Sequence, residues 1–365
     1  MSATIRGRRF ADGPPDRLAE VTSVLANTPM RIQSFLALAL FLMGVAAAGI
    51  AMLTQPFVQA VTSQAPQVDV KRLEAHVRHL SVDLYPRSFD QLRNIDLAAQ
   101  YILAELTAAG GAVTVQDVLV DEVRYRNIVA RFGPVSGPLL VIGAHYDSHG
   151  DAHGGAKDPR GYTRETHTPG ADDNASGIAG LLELARLVGR TTQLRPIELV
   201  AYTLEEPPHF RTEHMGSAWH ARSLRAAGRE VEFMLSLEMI GYFSDEPGSQ
   251  SYPVAAMSHL YSDRGDFIAL VGSLSNFALL RRIKAVMAGA TSLPVYSINA
   301  PPWLQGIDFS DHLSYWHAGF PAFMVTDTAF MRNRNYHLAG DTYDKLDYVR
   351  MAKVVQAVYA VTQQR

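Results

Sequence analysis

From Ser34 to Leu53 the chain runs for twenty residues without a charge (SFLALALFLMGVAAAGIAML), matching the roughly 20 residues that an α-helix needs to cross a bilayer core. Only this stretch is a membrane candidate. Thr54 to Gln67, rich in Gln, Pro, Ser and Thr, reads as a tether. From about Val68 the pattern changes to short apolar runs alternating with helical stripes, without repeats or low complexity, so residues 68–365 read as one domain. Ser88 with Gln91 has the spacing of a capping box, after which Leu92, Ile95, Ala99, Ile102 and Leu106 recur at helical intervals until Gly110-Gly111. Val113–Val120 and Tyr125–Phe132 suggest a β-hairpin. Leu139 to Ile142 is continuously apolar, as in a strand covered on both faces. A helical stripe follows at Ile178, Leu181, Leu182, Ala185 and Val188, and Ile197–Thr203, Phe233–Leu237 and Ala322–Thr326 read as further strands. The expected fold is α/β, with a mixed, mostly parallel sheet flanked by helices behind an N-terminal apolar segment.

Charge and composition narrow this picture. Lys and Arg nearly balance Asp and Glu at a formal net charge of -3, and the basic residues are scattered, so nucleic acid is not an expected partner. Cysteine is absent, so a bound metal must sit on His and carboxylate ligands. Arg6, Arg8, Arg9, Arg17 and Arg31 precede the apolar run, which predicts residues 1–33 in the cytoplasm, 34–53 as a transmembrane anchor and the remainder outside, at an inner membrane with the domain periplasmic. A second reading starts at Met30 and treats the run as a signal peptide cleaved after Ala60, which would give a secreted protein.

In open α/β sheets, ligands gather in the crevice beyond the carboxyl ends of the strands. Here the Leu139 strand runs into His145-Tyr146-Asp147, the Ile197 strand into Glu205-Glu206, and the Phe233 strand ends at Glu238. Asp172-Asp173-Asn174 lies in a turn before the Ile178 helix, and Asn335-Tyr336-His337 follows the last strand. Taken singly, these are a surface pair, a solvated turn or an N-cap cluster. Their order, each at a strand or helix junction, makes coincidence a poor account.

The pieces GAHYDS, PGADDNASG, AYTLEE, LSLEMIGYF, FSDHLSYWHAGFPA and NYHLAGDTYDKLDY resemble those of the co-catalytic di-zinc aminopeptidases, whose relatives include glutamate carboxypeptidases and glutaminyl cyclases. The resemblance covers Val68 to the C-terminus. It implies a zinc-exopeptidase domain acting on peptides, with two zinc ions: His145 and Glu238 on one, Glu206 and His337 on the other, Asp173 bridging and Glu205 as general base. Metal pairs of this kind stand about 3.5–4 Å apart, so a bridging carboxylate suits them. Asp147 would accept the free ring N–H of His145. The chain departs from many relatives in carrying Glu238 where they have Asp. A cis peptide, frequent in the family after the bridging Asp, would fall at Asp173-Asn174.

Other residues invite a role. His149, His153 and His167 fall in a Gly-rich insertion and read as a rim loop rather than zinc ligands. Asp311 and His312 read as packing or supporting groups. Arg211, Arg332 and Arg334 could hold a substrate carboxylate, and Phe210, Met215, Phe330 and Met331 could line an apolar pocket or pack beneath it. Aminopeptidase activity is the expectation. Its rivals are a glutaminyl-cyclase-like acyltransferase, a dipeptidase or carboxypeptidase using one of those arginines, and a catalytically silent receptor-like module.

Overall fold

The computed structural model describes residues 30–150 and 167–364. The chain divides into two units, residues 1–51 and 52–365. Helix α1 (Met30–Thr54) occupies the described part of the first and continues into the start of the second. Its segment Ser34–Thr54 has a mean hydropathy of 2.5 and is long and apolar enough to cross a membrane.

Unit 52–365 is built on one eight-stranded sheet. In chain order its elements are α2 (Val70–Arg78), α3 (Leu92–Ala108), β1 (Ala112–Val120), β2 (Val123–Phe132), β3 (Leu139–His145), α4 (Gly177–Val188), β4 (Ile197–Tyr202) and α5 (Gly216–Ala226). Then come β5 (Val231–Glu238), β6 (Ile268–Gly272), α6 (Phe277–Ala290), β7 (Val295–Asn299), α7 (His312–His317), β8 (Ala322–Thr326) and α8 (Tyr348–Thr362). The strand order is β1-β2-β4-β3-β5-β8-β6-β7. β4, β3, β5 and β8 are parallel neighbours, while β1-β2-β4 and β8-β6 pair antiparallel and β6-β7 parallel. β4 lies on one side of β3 and β5 on the other, so the connections diverge at the carboxyl end of β3. Such a switch point is where a crevice opens.

Every residue of β3 and β4 is buried. Along β3 the faces alternate: Leu140, Ile142 and Ala144 join the core beneath α2, α3, α4 and α8, while Leu139 and Val141 join the one beneath α5 and α7. Gly143 is small for a reason, since a Cβ there would lie 2.1 Å from the Tyr202 ring.

Three differences from the sequence reading have physical causes. α3 begins at Leu92, but its N-cap is Gln91 without a side-chain bond, so no capping box forms. The Ser88 hydroxyl is engaged instead with Asp90 Oδ1 (2.6 Å) and His167 Nδ1 (2.9 Å). β6 and β7 went unrecognised because five-residue runs such as IALVG and VYSIN are too short to show a period. The stretch read as a tether is held along α6 and α8: Val61 N donates to Ala285 O, Ser63 N to Gly289 O and Gln356 Nε2 to Pro66 O. At its start, Lys284 Nζ donates to the carbonyls of Thr54 (3.3 Å) and Gln55 (2.9 Å).

Candidate metal centre

His145 ends β3 and is fully buried. Its Nδ1 lies 3.2 Å from the Asp147 carbonyl and 3.4 Å from Asp147 Oδ1, so Asp147 faces the ring nitrogen turned away from the cleft. The Asp147 carboxylate also accepts from the backbone N–H groups of Glu205 (3.2 Å) and Glu206 (3.0 Å). Leu204 precedes this pair at φ +59, a left-handed conformation costly for a branched side chain. That kink and the Asp147 fork aim the two glutamates differently. Strand alternation is not the cause, because β4 ends at Tyr202.

Asp173 sits in the non-helical turn Ala171–Ser176 before α4, and its peptide to Asn174 is cis. Asp341 latches this turn by accepting from the N–H groups of Asp172 (3.0 Å) and Asp173 (3.1 Å). Asn174 ties it to the end of β5, donating to Leu237 O and accepting from Met239 N. Glu238, the last residue of β5, accepts from Ser310 Oγ at 2.8 Å. His337 itself adopts φ +58 in the connection between β8 and α8.

These elements bring all seven expected residues together. His145 Nε2 lies 3.5 Å from Asp173 Oδ1, 3.4 Å from Glu238 Oε2 and 3.8 Å from Glu205 Oε2. His337 Nε2 lies 3.1 Å from Asp173 Oδ2 and 3.3 Å from Glu206 Oε2. The two oxygens of Asp173 thus face different imidazoles, as a bridging ligand requires. Donors bound 2.0–2.1 Å from a tetrahedral ion stand about 3.3 Å apart, which these separations match. Four buried carboxylates crowd a space with few cations, and His145 Nε2 and Glu206 Oε1 have no hydrogen-bond partner. A dication satisfies both conditions.

The two glutamates differ in their protons. Burial raises Glu205 well above the usual carboxylate range, with Glu238 and Glu206 adding to it against the pull of His145. Burial acts on Glu206 in the same sense, but His337 and His149 outweigh it and hold that carboxyl well below the usual range. Burial lowers His337, yet Glu206 and Asp173 raise it to about 10.

The remaining candidates separate cleanly. His149, expected on a rim loop, is fully buried beside the centre, its ring stacked on His337 at 4.1 Å and 4°. The cause is long-range packing: its carbonyl accepts from Thr168 N, and Gly150 lies flat on Ser88. His167 bonds Ser88 and stays outside the cluster, and His153 lies outside the described residues. Asp311 is buried with its pKa raised to about 7 by that burial, and His312 donates from Nε2 to Ile307 O while packing edge-on to Trp316. Arg332 is buried and committed to Gln250, Tyr242 O and Phe267 O. Arg211 pairs with Asp308, and Arg334 is exposed. Phe330 and Met331 line an apolar cavity that opens beside Glu238 and is walled by Tyr252, Met257, Tyr296 and Leu304. Phe210 instead packs on Phe309, and Met215 is core.

One supporting residue carried no sequence signal. Arg87 is wholly buried and donates to the carbonyls of Tyr146, Leu80, Pro169 and Gly170, tying the exit of β3 to the turn that carries Asp173. An isolated arginine in a loop has no period to betray it.

Residues 127–362 match the family described as peptidase family M28. The chain belongs to that family. It is 50% identical over 304 residues to the uncharacterized protein YfbL of Escherichia coli (strain K12), a match covering 83% of this chain and 91% of that protein. A probable leucine aminopeptidase of Arthroderma otae is 27% identical over 266 residues, 70% of this chain and 61% of its own length. Among solved structures, the glutaminyl cyclase of Bacteroides thetaiotaomicron bound to N-acetylhistamine has the same fold, with a TM-score of 0.62, 21% identity and coverage of 83% of this chain and 100% of that one. This M28 chain is a metallopeptidase with zinc as its metal and peptides as its substrates.

Proposed function

We propose that this M28 peptidase is an aminopeptidase that uses two zinc ions, one held by His145 and Glu238 and the other by Glu206 and His337, with Asp173 between them. The observation that carries the reading is the placement of Asp173, whose two carboxylate oxygens face different imidazoles, Oδ1 at 3.5 Å from His145 Nε2 and Oδ2 at 3.1 Å from His337 Nε2. When bound, a zinc pair polarises the scissile carbonyl and acidifies the attacking water. Glu205 takes the proton from that water at Oε2 and returns it to the leaving amine, a task suited to a carboxyl whose burial raises its proton affinity. Asp147 orients His145 through its ring N–H and holds both glutamate amides. The apolar cavity beside Glu238 receives the side chain of the substrate's first residue, so bulky apolar N-termini are favoured.

A carboxypeptidase reading gains no support from Arg332, which is buried and bonded to Gln250, Tyr242 O and Phe267 O, or from Arg211, which is paired with Asp308. The test is a metal count combined with a screen of amino-acid anilides, N-blocked peptides, dipeptides and N-terminal glutaminyl peptides. Two zincs per chain and cleavage of leucyl or phenylalanyl anilides, with blocked peptides inert, are expected. One zinc and ring closure of glutaminyl peptides would replace this reading with a cyclase.

The arginines preceding the apolar helix support a catalytic unit outside the cytoplasm. Protease added to spheroplasts should digest it, and protection of the unit while other external proteins are cut would reverse that orientation.

A further inference from the structure

His149 is buried to 0% exposure, and neither of its ring nitrogens has a hydrogen-bond partner. A buried imidazole in that state is costly, so its position calls for a reason. It touches two of the groups assigned above to one zinc. Its ring face covers that of His337, 4.1 Å away and within 4° of parallel. Its Nδ1 stands 3.4 Å from Glu206 Oε2, too long for a strong hydrogen bond but close for a charge-dipole contact in a dry site.

Two roles fit the distances. As a ligand, His149 would point a nitrogen at the ion that His337 holds. The lone pairs of nearly parallel, stacked rings lie in two separated planes that do not meet, whereas two imidazoles on one ion must converge on it. The stack therefore argues against shared ligation. We propose that His149 is a positioning residue for the Glu206/His337 zinc, fixing the His337 ring plane by stacking and holding Glu206 as an oriented carboxylate through Nδ1. The other face of His337 meets Tyr336 at 3.7 Å and 20°, so the ligand ring is clamped between two flat groups.

The backbone is built to deliver this contact. Ser148 N donates to Arg87 O, and His149 O accepts from both the N–H (3.0 Å) and the hydroxyl (3.2 Å) of Thr168. A Cβ on Gly150 would come within 2.4 Å of Ser88 Cβ, so the chain is pressed against that residue at the next position. Among the described residues, the half-site made by His145 and Glu238 has no comparable stack. Its supports are Asp147 and Ser310.

The proposal rests on Glu206 and His337 being zinc ligands. The experiment is competitive zinc titration against a chelator, resolving the two binding constants, on wild type and on His149→Ala, His149→Phe and His149→Gln. His149→Ala should weaken one zinc by about 10–100-fold, the range typical of losing a group that supports a metal ligand, and leave the other constant unchanged. His149→Phe keeps the stack and His149→Gln keeps a donor toward Glu206, so each should recover part of the loss. X-ray absorption on the zinc-loaded protein should report the same number of imidazoles in wild type and His149→Phe. One imidazole fewer in His149→Phe would make His149 a ligand and overturn the positioning role. Unchanged constants in all three variants would overturn it as well, as would equal weakening at both zincs. Should His149→Ala fail to fold, the Phe and Gln variants carry the same comparison. A wild type that takes up no second zinc would instead defeat the two-zinc reading on which the proposal stands.

Discussion

The two halves of the centre are built by different means. His145 and Glu238 are the last residues of β3 and β5, parallel neighbours in the buried middle of the sheet, where His145 pairs with Tyr202 of β4 and Glu238 with Thr326 of β8. Glu206 and His337 come from connections. Glu206 follows a left-handed Leu204, and His337 is itself left-handed. Around them lie the side chains that do the holding: the Asp147 fork on the Glu206 amide, and Tyr336 and His149 on the faces of His337. A ligand on a strand end inherits its position from the sheet, whereas a ligand on a loop needs bracing from groups brought in from elsewhere in the chain. The strand-borne half should therefore be robust to changes around it, and the loop-borne half sensitive.

The largest effect expected belongs to neither half. Glu205→Gln should lower kcat by about 10²–10⁴-fold while both zincs stay bound. Loss of a zinc in that variant would assign Glu205 to a half-site and break the division. Next, Glu206→Gln should weaken one zinc by more than about 100-fold, beyond the loss typical of a supporting group, and Glu238→Gln the other. Paired titrations decide whether each substitution empties its own half, and simultaneous loss of both ions would mean that the halves are not separable. Asp147→Asn should cost about 10–100-fold in affinity. It touches His145 on one side and the Glu205 and Glu206 amides on the other, so both binding constants should move, in contrast to the one-sided effect of His149 substitutions.

The smallest effect concerns stability. Burial raises Asp341 to about 8 and Asp311 and Asp327 to about 7, so between pH 4 and these values the folded chain holds protons that the unfolded chain has released. Stability then falls as pH rises, because the unfolded state binds fewer protons. His337, raised to about 10, acts in the same sense above its unfolded value. Chelator-treated enzyme should therefore lose several °C in Tm between pH 5 and 8, on the order of one to two kcal/mol for a domain of this size. Zinc should flatten that slope, and an apo enzyme whose Tm rises over the same range would contradict the account.

The strand-borne half was the more legible in the sequence, for the same reason that it is the more rigid. Leu139 to Ile142 is an unbroken apolar run and Phe233 to Leu237 is apolar but for Ser236, the first leading toward His145 and the second directly into Glu238. A run of that kind announces both the strand and where it ends. His149 had no such frame. It stands in a Gly-rich stretch, and its burial depends on Ser88 and Thr168, contacts that only the folded chain creates. Arg87 was invisible on the same grounds. The capping box at Ser88 and Gln91 illustrates the converse, a local pattern set aside because the hydroxyl finds better partners in Asp90 and His167.

The apolar cavity beside Glu238 has a further consequence. Its outer walls, including Tyr252, Met257, Tyr261 and Leu304, belong to connections that carry none of the proposed ligands, and among the described residues Glu238 is the proposed ligand that lines it. Selection can thus redraw the range of accepted substrates by drift at those wall positions while the chemistry stays under separate constraint. A combinatorial library confined to residues 252–261 and 304–307 would explore specificity with the hydrolytic machinery held constant.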